Sequence, residues 1–341
     1  MNPLCRPLCV LLAATLAVAS LAGQSRGPTP GGGDVLRLDP AIDRLVPPGA
    51  RVEKLSGNLQ RAEGPLWISG GYLLFSDLNE IMKWTPGGPV SVFRGRIFSG
   101  STPAGVRVGT NGLTLDREGR LVAVEPGNRR VSRFEKGGEA GGGVTVLADR
   151  FMGKRLNSPN DLVIKKNGDV YFTDPPYYAR QPVPPESPEF RQELDFSGVF
   201  RVTTRGTLEL LVKDLGNPNG LAFSPTENKL YIAESRPEKK WMVYDVRGDG
   251  TLAPGKVFMD VSTDTTEAVP DGMKVDVLGN VYATGPGGVL VISPEGKHLG
   301  TIRIPEIAAN CAWGDADGRT LYVTARTGLY RIKLSVEGVR P

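Results

Sequence analysis

Residues 219–234 read Asn-Gly-Leu-Ala-Phe-Ser-Pro-Thr-Glu-Asn-Lys-Leu-Tyr-Ile-Ala-Glu, a pattern that recurs through the chain. An oxygen-bearing side chain begins an apolar strand, a polar turn follows it, and a second apolar strand comes next. Six segments share this order, and they begin at Glu63, Asn111, Asn160, Asn219, Asp271 and Asn310. These leading residues are 48, 49, 59, 52 and 39 positions apart. Periods of about 40–50 residues with several strands in each are typical of propeller blades.

Two further strand patterns complete most of the repeats, for example residues 81–84 and 90–93 in the first. The sixth repeat lacks a fourth strand, whereas residues 51–55 precede the first repeat as a fourth strand precedes each later one. We therefore predict that residues 51–55 pair with the last blade. The predicted fold is all-β: a six-bladed β-propeller of four-stranded antiparallel blades, with the ring closed by an N-terminal strand that protects the sheet edges.

The first residues of the chain have the pattern of a targeting segment. Arg6 stands before an apolar run at residues 8–21, and small residues follow in the spacing of a cleavage site. This run is shorter than the roughly 20 residues of a membrane-spanning helix. We therefore predict a signal peptide at residues 1–22, a secreted or periplasmic location, and no stable membrane insertion after cleavage.

The remainder of the chain divides into a leader and one domain. Residues 23–35 are rich in Gly and Pro, which predicts a flexible leader. Residues 36–341 then form a single propeller domain, which we expect to be a monomer. The longest interval between repeats contains an insertion around residues 175–194, rich in Pro, Tyr, Arg and Glu. Loops of this length in compact folds are usually lids or binding loops, so we predict a lid-like insertion.

The composition excludes several classes of protein. The 341 residues include 44 Gly and 28 Pro, which fits many short strands and tight turns. The chain has one His, His298, which excludes a His-rich zinc site and the HExxH metalloprotease motif. The 41 basic and 37 acidic residues are spread along the chain, so we expect no nucleic-acid partner. Cleavage of the signal peptide would leave Cys311 as the one cysteine, without a partner for an intramolecular disulfide.

In a propeller, equivalent positions of the blades form a ring around the central axis. All six leading residues carry a carbonyl or carboxylate oxygen, and none is basic or apolar. Oxygen ligands without His or Cys favour a hard cation such as Ca²⁺, and the charges of Glu63 and Asp271 would balance one divalent ion. The alternative is turn chemistry, since Asn-Gly and Asp-Gly are strong hairpin signals. Against it, Glu63 is not a turn former, and each repeat has its own turn further along.

An ordered set of motifs along the chain resembles one family. They are Glu63-Gly-Pro-Leu-Trp67, Asn111-Gly-Leu-Thr-Leu-Asp116, Ser158-Pro-Asn-Asp161, Tyr171-Phe-Thr-Asp-Pro-Pro-Tyr177, Pro218-Asn-Gly-Leu-Ala-Phe-Ser224, Pro270-Asp-Gly-Met273 and Gly296-Lys-His-Leu-Gly300. Through these motifs the chain resembles the senescence marker protein/gluconolactonase family of six-bladed propellers, which includes regucalcin, and most of all its bacterial secreted members. The resemblance runs from about Asp39 to Leu334.

The resemblance implies a divalent metal at one end of the central channel, usually calcium, with Zn²⁺, Mn²⁺ or Mg²⁺ as alternatives. The positions that match the family's metal ligands are Glu63, Asn160, Asn219 and Asp271. In the family, the residue matching Asp271 is the proposed proton acceptor or nucleophile. Asn111 and Asn310 would lie near the metal, where they would contact the substrate or the ligands.

Three further positions are predicted to bind substrate. Ser158 stands where animal members of the family have an Arg that contacts the sugar. Tyr177 and Tyr178 lie in the insertion and either form a wall of the substrate site or pack the loop, since loops often carry function.

The predicted function is that of a secreted calcium-dependent hydrolase that opens a small sugar lactone such as glucono-1,5-lactone. The metal would polarise the carbonyl, and Asp271 would take a proton from the attacking water or attack directly. Ser-His-Asp chemistry would depend on His298, which we expect at a solvated hairpin tip. The alternatives are another ester or phosphoester hydrolase on the same metal site, and a non-enzymatic propeller that binds a ligand.

Overall fold

The six repeats form six antiparallel sheets arranged in a ring, in a computed structural model that describes residues 1, 29–30, 32–100, 106–135, 142–177 and 191–341. The innermost strands contact one another in cyclic order around the axis. The predicted six-bladed β-propeller is therefore confirmed. The predicted signal peptide beyond its first residue and most of the predicted insertion, including Tyr178, lie outside the described residues.

Short elements precede the first blade. They are β1 (Thr29–Pro30), β2 (Val35–Arg37), α1 (Ile42–Leu45) and β3 (Glu53–Ser56). None of the helices in the described part of the chain is long and apolar enough to cross a membrane.

Each blade is a meander in which sequential strands pair antiparallel from the axis outward. The strands of blade 1 are β4 (Glu63–Ile68), β5 (Tyr72–Asp77), β6 (Glu80–Trp84) and β7 (Val90–Arg94). The strands of blade 2 are β8 (Leu113–Leu115), β9 (Leu121–Glu125), β10 (Arg130–Phe134) and β11 (Val144–Ala148). A small hairpin follows, formed by β12 (Arg150–Phe151) and β13 (Lys154–Arg155). The strands of blade 3 are β14 (Leu162–Ile164), β15 (Val170–Asp174), β16 (Gly198–Val202) and β17 (Leu208–Val212).

The second half of the ring repeats this arrangement. The strands of blade 4 are β18 (Pro218–Phe223), β19 (Lys229–Glu234), β20 (Lys240–Asp245) and β21 (Lys256–Asp260). The strands of blade 5 are β22 (Met273–Val275), β23 (Val281–Gly285), β24 (Gly288–Ile292) and β25 (His298–Arg303). The sequential strands of blade 6 are β26 (Ala308–Gly314), β27 (Thr320–Ala325) and β28 (Gly328–Lys333).

The N-terminal strand β3 supplies the fourth strand of blade 6. It pairs antiparallel with β28, with Lys54 opposite Tyr330, and an ion pair of 2.7 Å joins Arg331 to Glu53. The predicted ring closure is thus confirmed. The strand β2 adds a fifth strand to blade 5, where Val35 lies opposite Ile302, and the repeat pattern does not predict this addition.

The hydrophobic core is divided among the interfaces between blades. Phe172 and Phe200 of blade 3 stack with their ring centroids 5.4 Å apart and pack in one cluster with Val124 of blade 2. Trp67 of blade 1 stacks on Tyr322 of blade 6 at 5.2 Å. Such aromatic pairs add to the free energy gained from apolar burial, and their positions between sheets fix the angle between neighbouring blades.

Glycine lets neighbouring innermost strands approach closely. A Cβ atom on Gly64 would lie 2.0 Å from the carbonyl oxygen of Asn111, and one on Gly220 would lie 2.3 Å from that of Asp271. Both distances are far below van der Waals contact, so any side chain at these positions would push two blades apart. The glycine that follows the leading residue therefore serves blade packing at the axis.

The single histidine is not where the sequence indicated. His298 is the first residue of β25, half-buried, with Nε2 2.9 Å from Oγ1 of Thr301. Burial lowers its pKa. It does not line the cavity described below. The expected solvated hairpin tip is therefore wrong, because the turn ends before this residue and the strand has already begun.

Candidate active site

The leading residues of the repeats meet at one end of the central channel. Five of them line a single cavity of about 320 Å³, namely Glu63, Asn111, Asn160, Asn219 and Asp271. They lie together because each stands near the start of an innermost strand, and the six innermost strands run in the same direction along the axis. A cavity of this volume suits a small molecule.

The turn interpretation of the leading residues is wrong. Asn219 lies inside β18 and Asn310 lies inside β26, and Glu63 is the first residue of β4. The hairpin turns of the blades lie at the other ends of these strands. The oxygen-bearing side chains therefore do not form the hairpin turns. Their direction is set by strand geometry and by the contacts described next.

The side chain of Asn219 is fixed by two hydroxyl groups. Its Nδ2 donates a hydrogen bond to Oη of Tyr177 and another to Oγ of Ser235, each 3.0 Å long. Ser235 in turn donates to the carbonyl oxygen of Pro270 at 2.6 Å. Because both amide hydrogens are engaged, the orientation of Asn219 is determined, and its Oδ1 is left without a partner.

Asn310 fixes one oxygen of Glu63. Its own Oδ1 accepts a hydrogen bond of 2.8 Å from the backbone N–H of Cys311, so its Nδ2 is directed the other way. That nitrogen donates to Oε1 of Glu63 at 3.3 Å and to Oδ2 of Asp161 at 3.2 Å. Asn310 is 1% exposed and does not line the cavity, so its contact is with Glu63 and not with the space a substrate would occupy.

Three of the four predicted metal ligands carry a buried oxygen without a hydrogen-bond partner. These atoms are Oε2 of Glu63, Oδ1 of Asn160 and Oδ1 of Asn219. A buried polar atom without a partner is costly, and native proteins rarely leave one unexplained. A hard divalent cation takes carboxylate and amide oxygens as ligands, and the half-buried carboxylate of Asp271 lines the same cavity. The donor set therefore fits such an ion.

The amide oxygens are essential to this fit. Among the described residues, no group of three or more His, Cys, Asp or Glu side chains is placed to hold a metal. A zinc site of the usual nitrogen and sulfur type is thus not available in that part of the chain. The set of two carboxylates and two amides favours an oxygen-seeking ion such as Ca²⁺.

Burial strongly perturbs the carboxyl groups at the floor of the cavity. Burial raises the pKa of Glu63 to about 7, the guanidinium of Arg107 opposes this rise, and the nearby Asp161 adds to it. Burial, followed by repulsion from Glu63, also raises the pKa of Asp271 well above its usual range. The metal-free site therefore holds protons that a bound cation would displace.

The predicted substrate residues have different surroundings. Ser158 and Tyr177 line the cavity. The Oγ of Ser158 donates to the carbonyl of Pro175 and accepts from the backbone N–H of Tyr177 at 3.0 Å, so it ties down the start of the insertion. Asn111 also lines the cavity, and its Oδ1 accepts a hydrogen bond of 3.2 Å from Nη1 of Arg107. Tyr178 lies outside the described residues.

Sequence reasoning missed three residues of the site. Asp161 follows a leading residue at the position that is Gly in four other repeats, and this departure from the pattern was a usable signal. Ser235 and Arg107 lie in connections between strands, at positions without a periodic signal. Arg107 brings a positive charge into the cavity, where it lowers the pKa of both Glu63 and Asp271.

A profile of the SMP-30/Gluconolactonase/LRE-like region matches residues 61–327 of the chain. The chain belongs to the SMP-30/gluconolactonase family. The matched range contains all six leading residues and therefore the whole cavity floor. The family resemblance predicted from the motifs is confirmed.

Within the SMP-30/gluconolactonase family, the chain is similar to proteins named for lactone hydrolysis. It is 32% identical to a gluconolactonase of Zymomonas mobilis over 353 aligned positions, which cover 96% of this chain and 95% of that protein. It is 30% identical to the pentonolactonase XacC of Haloferax volcanii over 64% of this chain and 67% of that one.

Solved structures show the same architecture. A gluconolactonase from Xanthomonas campestris is 30% identical, with a TM-score of 0.77 over 91% of this chain and 98% of that one. A calcium-binding regucalcin from Agrobacterium tumefaciens, at 16% identity and a TM-score of 0.64, covers 84% of this chain and 96% of its own. The second likeness shows a shared fold.

Proposed function

We propose that this protein hydrolyses a small sugar lactone, such as glucono-1,5-lactone, with the aid of a divalent metal, and that the metal is calcium. Family membership and two relatives named as lactonases support the reaction class. The observation that carries the metal dependence is the set of partnerless buried oxygens on Glu63, Asn160 and Asn219. Burying three such atoms without a ligand would destabilise the fold without benefit.

In this proposal, Glu63, Asn160, Asn219 and Asp271 hold the ion. A bound divalent cation would polarise the lactone carbonyl and neutralise the charge that develops on its oxygen. The chain itself prepares the ligands. Tyr177 and Ser235 hold the amide of Asn219, and Asn310 holds one oxygen of Glu63, so both ligands need little reorganisation.

Asp271 is the proposed catalytic residue. It lines the cavity, and without a metal its pKa is raised by burial and by the charge of Glu63, whereas a bound cation would favour its ionised form. It accepts a proton from the attacking water, or its carboxylate attacks the carbonyl carbon directly. In either route water adds across the acyl–oxygen bond, the ring oxygen leaves as a hydroxyl, and a sugar acid results.

Activity assays with and without metal test this function. Hydrolysis of glucono-1,5-lactone should be abolished by EDTA and restored by calcium, and Asp271→Asn should lose activity by a factor of about 100 or more while still folding. An aryl ester serves as the comparison substrate for a general esterase. Full activity of the EDTA-treated protein would refute the metal dependence. Absence of turnover with calcium present would refute the lactonase.

The proposed location is outside the cytoplasm, directed by residues 1–22. The sequence pattern at Arg6 and residues 8–21 supports it. Fractionation of cells that express the full chain or a chain without residues 1–22 tests this location. Equal retention of both in the cytoplasm would refute it.

A further inference from the structure

Four arginines surround the mouth of the cavity. Arg61, Arg107, Arg236 and Arg326 all line it, and they come from four different connections at the end of the ring where the leading residues lie. Among the described residues that line the cavity, the only acids are Glu63 and Asp271. These belong to the floor and to the proposed ion.

Two of these arginines, Arg236 and Arg326, have little or no pairing with acids in the described part of the chain. Arg236 is exposed, and its guanidinium has no hydrogen bond or ion pair within the described part of the chain. Arg326 pairs with Glu267 at 2.7 Å, but the two side chains are 59% and 79% exposed, so this pair is weak. Arg107 is half-buried, and it hydrogen-bonds Oδ1 of Asn111.

The floor and the mouth therefore differ in charge. The carboxylates of Glu63 and Asp271 would be balanced by one divalent cation, whereas the arginines of the mouth would remain positive. A concave site with one sign of charge concentrates ligands of the opposite sign. Guanidinium groups match carboxylate and phosphate oxygens with two parallel hydrogen bonds.

We propose that the preferred substrate is a lactone that carries a second anionic group, a carboxylate or phosphate, remote from the ester. This inference rests on the proposed lactonase function and names its substrate class. The ester lies at the floor, and the anionic group is held at the mouth by Arg236 and Arg326. Ring opening adds a carboxylate at the floor, so the product of a carboxylated lactone is a dicarboxylate.

Two lactones that differ in one group test the proposal. D-glucono-1,4-lactone and D-glucaro-1,4-lactone differ only in having a hydroxymethyl or a carboxylate group at C6. With calcium present, kcat/KM should be about tenfold or more higher for the carboxylated lactone, and the ratio should fall as salt is raised. Equal values for both, with no effect of salt, would overturn the inference.

Charge variants locate the effect. Arg236→Gln and Arg326→Gln should each lower the ratio of the two kcat/KM values several-fold, because each removes one positive charge from the mouth of the cavity. Arg205→Gln is the matched control, since it removes the same charge from an exposed turn between β16 and β17. An unchanged ratio in both Arg236→Gln and Arg326→Gln would also overturn the inference.

Calorimetry separates this inference from the lactonase itself. D-glucarate should bind about tenfold tighter than D-gluconate, and the Arg236→Gln/Arg326→Gln double variant should lose this difference. If neither lactone is hydrolysed but the difference in binding is present, the lactonase fails and the anionic ligand class stands. Hydrolysis of the neutral lactone with equal binding of both acids would refute the ligand class alone.

Discussion

The side-chain nitrogen of Asn310 donates a hydrogen bond to Oε1 of Glu63 over 3.3 Å, while Oε2 of the same carboxylate has no partner. One oxygen of Glu63 is thus held by the protein and the other is available to an ion. The same nitrogen also donates to Oδ2 of Asp161. It therefore lies between the carboxyl groups of Glu63 and Asp161 and reduces their mutual repulsion. Asn310 is therefore a positioning residue for Glu63, one of the proposed metal ligands.

Replacing Asn310 should weaken the metal site. Asn310→Ala removes the donor that holds Glu63, and loss of such an outer hydrogen bond typically costs about 10- to 100-fold in metal affinity. Calcium titration by calorimetry measures it. Asn228→Ala, in the exposed turn between β18 and β19, should bind calcium like the original protein. Unchanged affinity in a folded Asn310→Ala protein would show that Glu63 needs no such support.

Tyr177 and Ser235 should support the orientation of Asn219 in a partly redundant way. Ser235→Ala and Tyr177→Phe each remove one acceptor for Nδ2 of Asn219, and each should lower calcium affinity by about tenfold. The remaining acceptor still orients the amide in either single variant. The double variant should therefore lose more than the product of the two effects. Simple additivity in a double-mutant cycle would mean that the two hydroxyl groups act independently.

The stability of the metal-free protein should fall as pH rises. Burial raises the pKa of Glu63 from its ordinary value near 4.5 to about 7, so between these values the folded state keeps a proton that the unfolded chain has lost. The free energy of unfolding then decreases with rising pH across that window. Urea unfolding in EDTA at pH 5 and pH 7.5 measures this change.

Two controls accompany the pH experiment. Glu63→Gln cannot ionise, so its metal-free stability should depend less on pH over the same window. Calcium requires the ionised carboxylates, so its stabilising effect should be larger at pH 7.5 than at pH 5. A metal-free protein that becomes more stable between pH 5 and pH 7.5 would contradict the raised pKa of Glu63.

The N-terminal segment from β2 to β3 should be essential for stability. A chain that starts at residue 58 loses β2, α1 and β3, and with them the outer strand of blade 5 and the partner of β28 in blade 6, whereas a chain that starts at residue 32 keeps all three. We expect the shorter chain to lose about 3–5 kcal/mol of unfolding free energy, from hydrogen bonds and apolar burial. Urea unfolding compares the two. Arg331→Gln, which breaks only the partly exposed ion pair with Glu53, should cost less than about 1 kcal/mol.

The fold could be predicted because the propeller repeats one physical unit. Each repeat begins with an oxygen-bearing residue near the start of an innermost strand, and residues 51–55 carried a fourth-strand pattern that the sixth repeat lacked. The strand β2 could not be predicted, because its pairing with β25 depends on how the N-terminal segment wraps around the finished ring. That contact has no local signal.

The floor of the site could be predicted for the same reason, whereas its mouth could not. Glu63, Asn160, Asn219 and Asp271 occupy repeated positions that converge on the axis. Arg236 lies in a connection whose length and direction differ from blade to blade. The role of Asn310 could not be predicted from the sequence either, because the backbone N–H of Cys311 determines the direction of its amide.

The pairing of Lys54 with Tyr330 makes folding of this chain a long-range event. Most strands pair with strands that are close in sequence, whereas β28 in blade 6, like β25 in blade 5, pairs with a strand from the N-terminal part of the chain. Closing so large a loop is entropically unfavourable and tends to be slow. A growing chain therefore carries β3 without its partner until β28 has been made, and this unpaired edge is the place where misassembly or aggregation would begin.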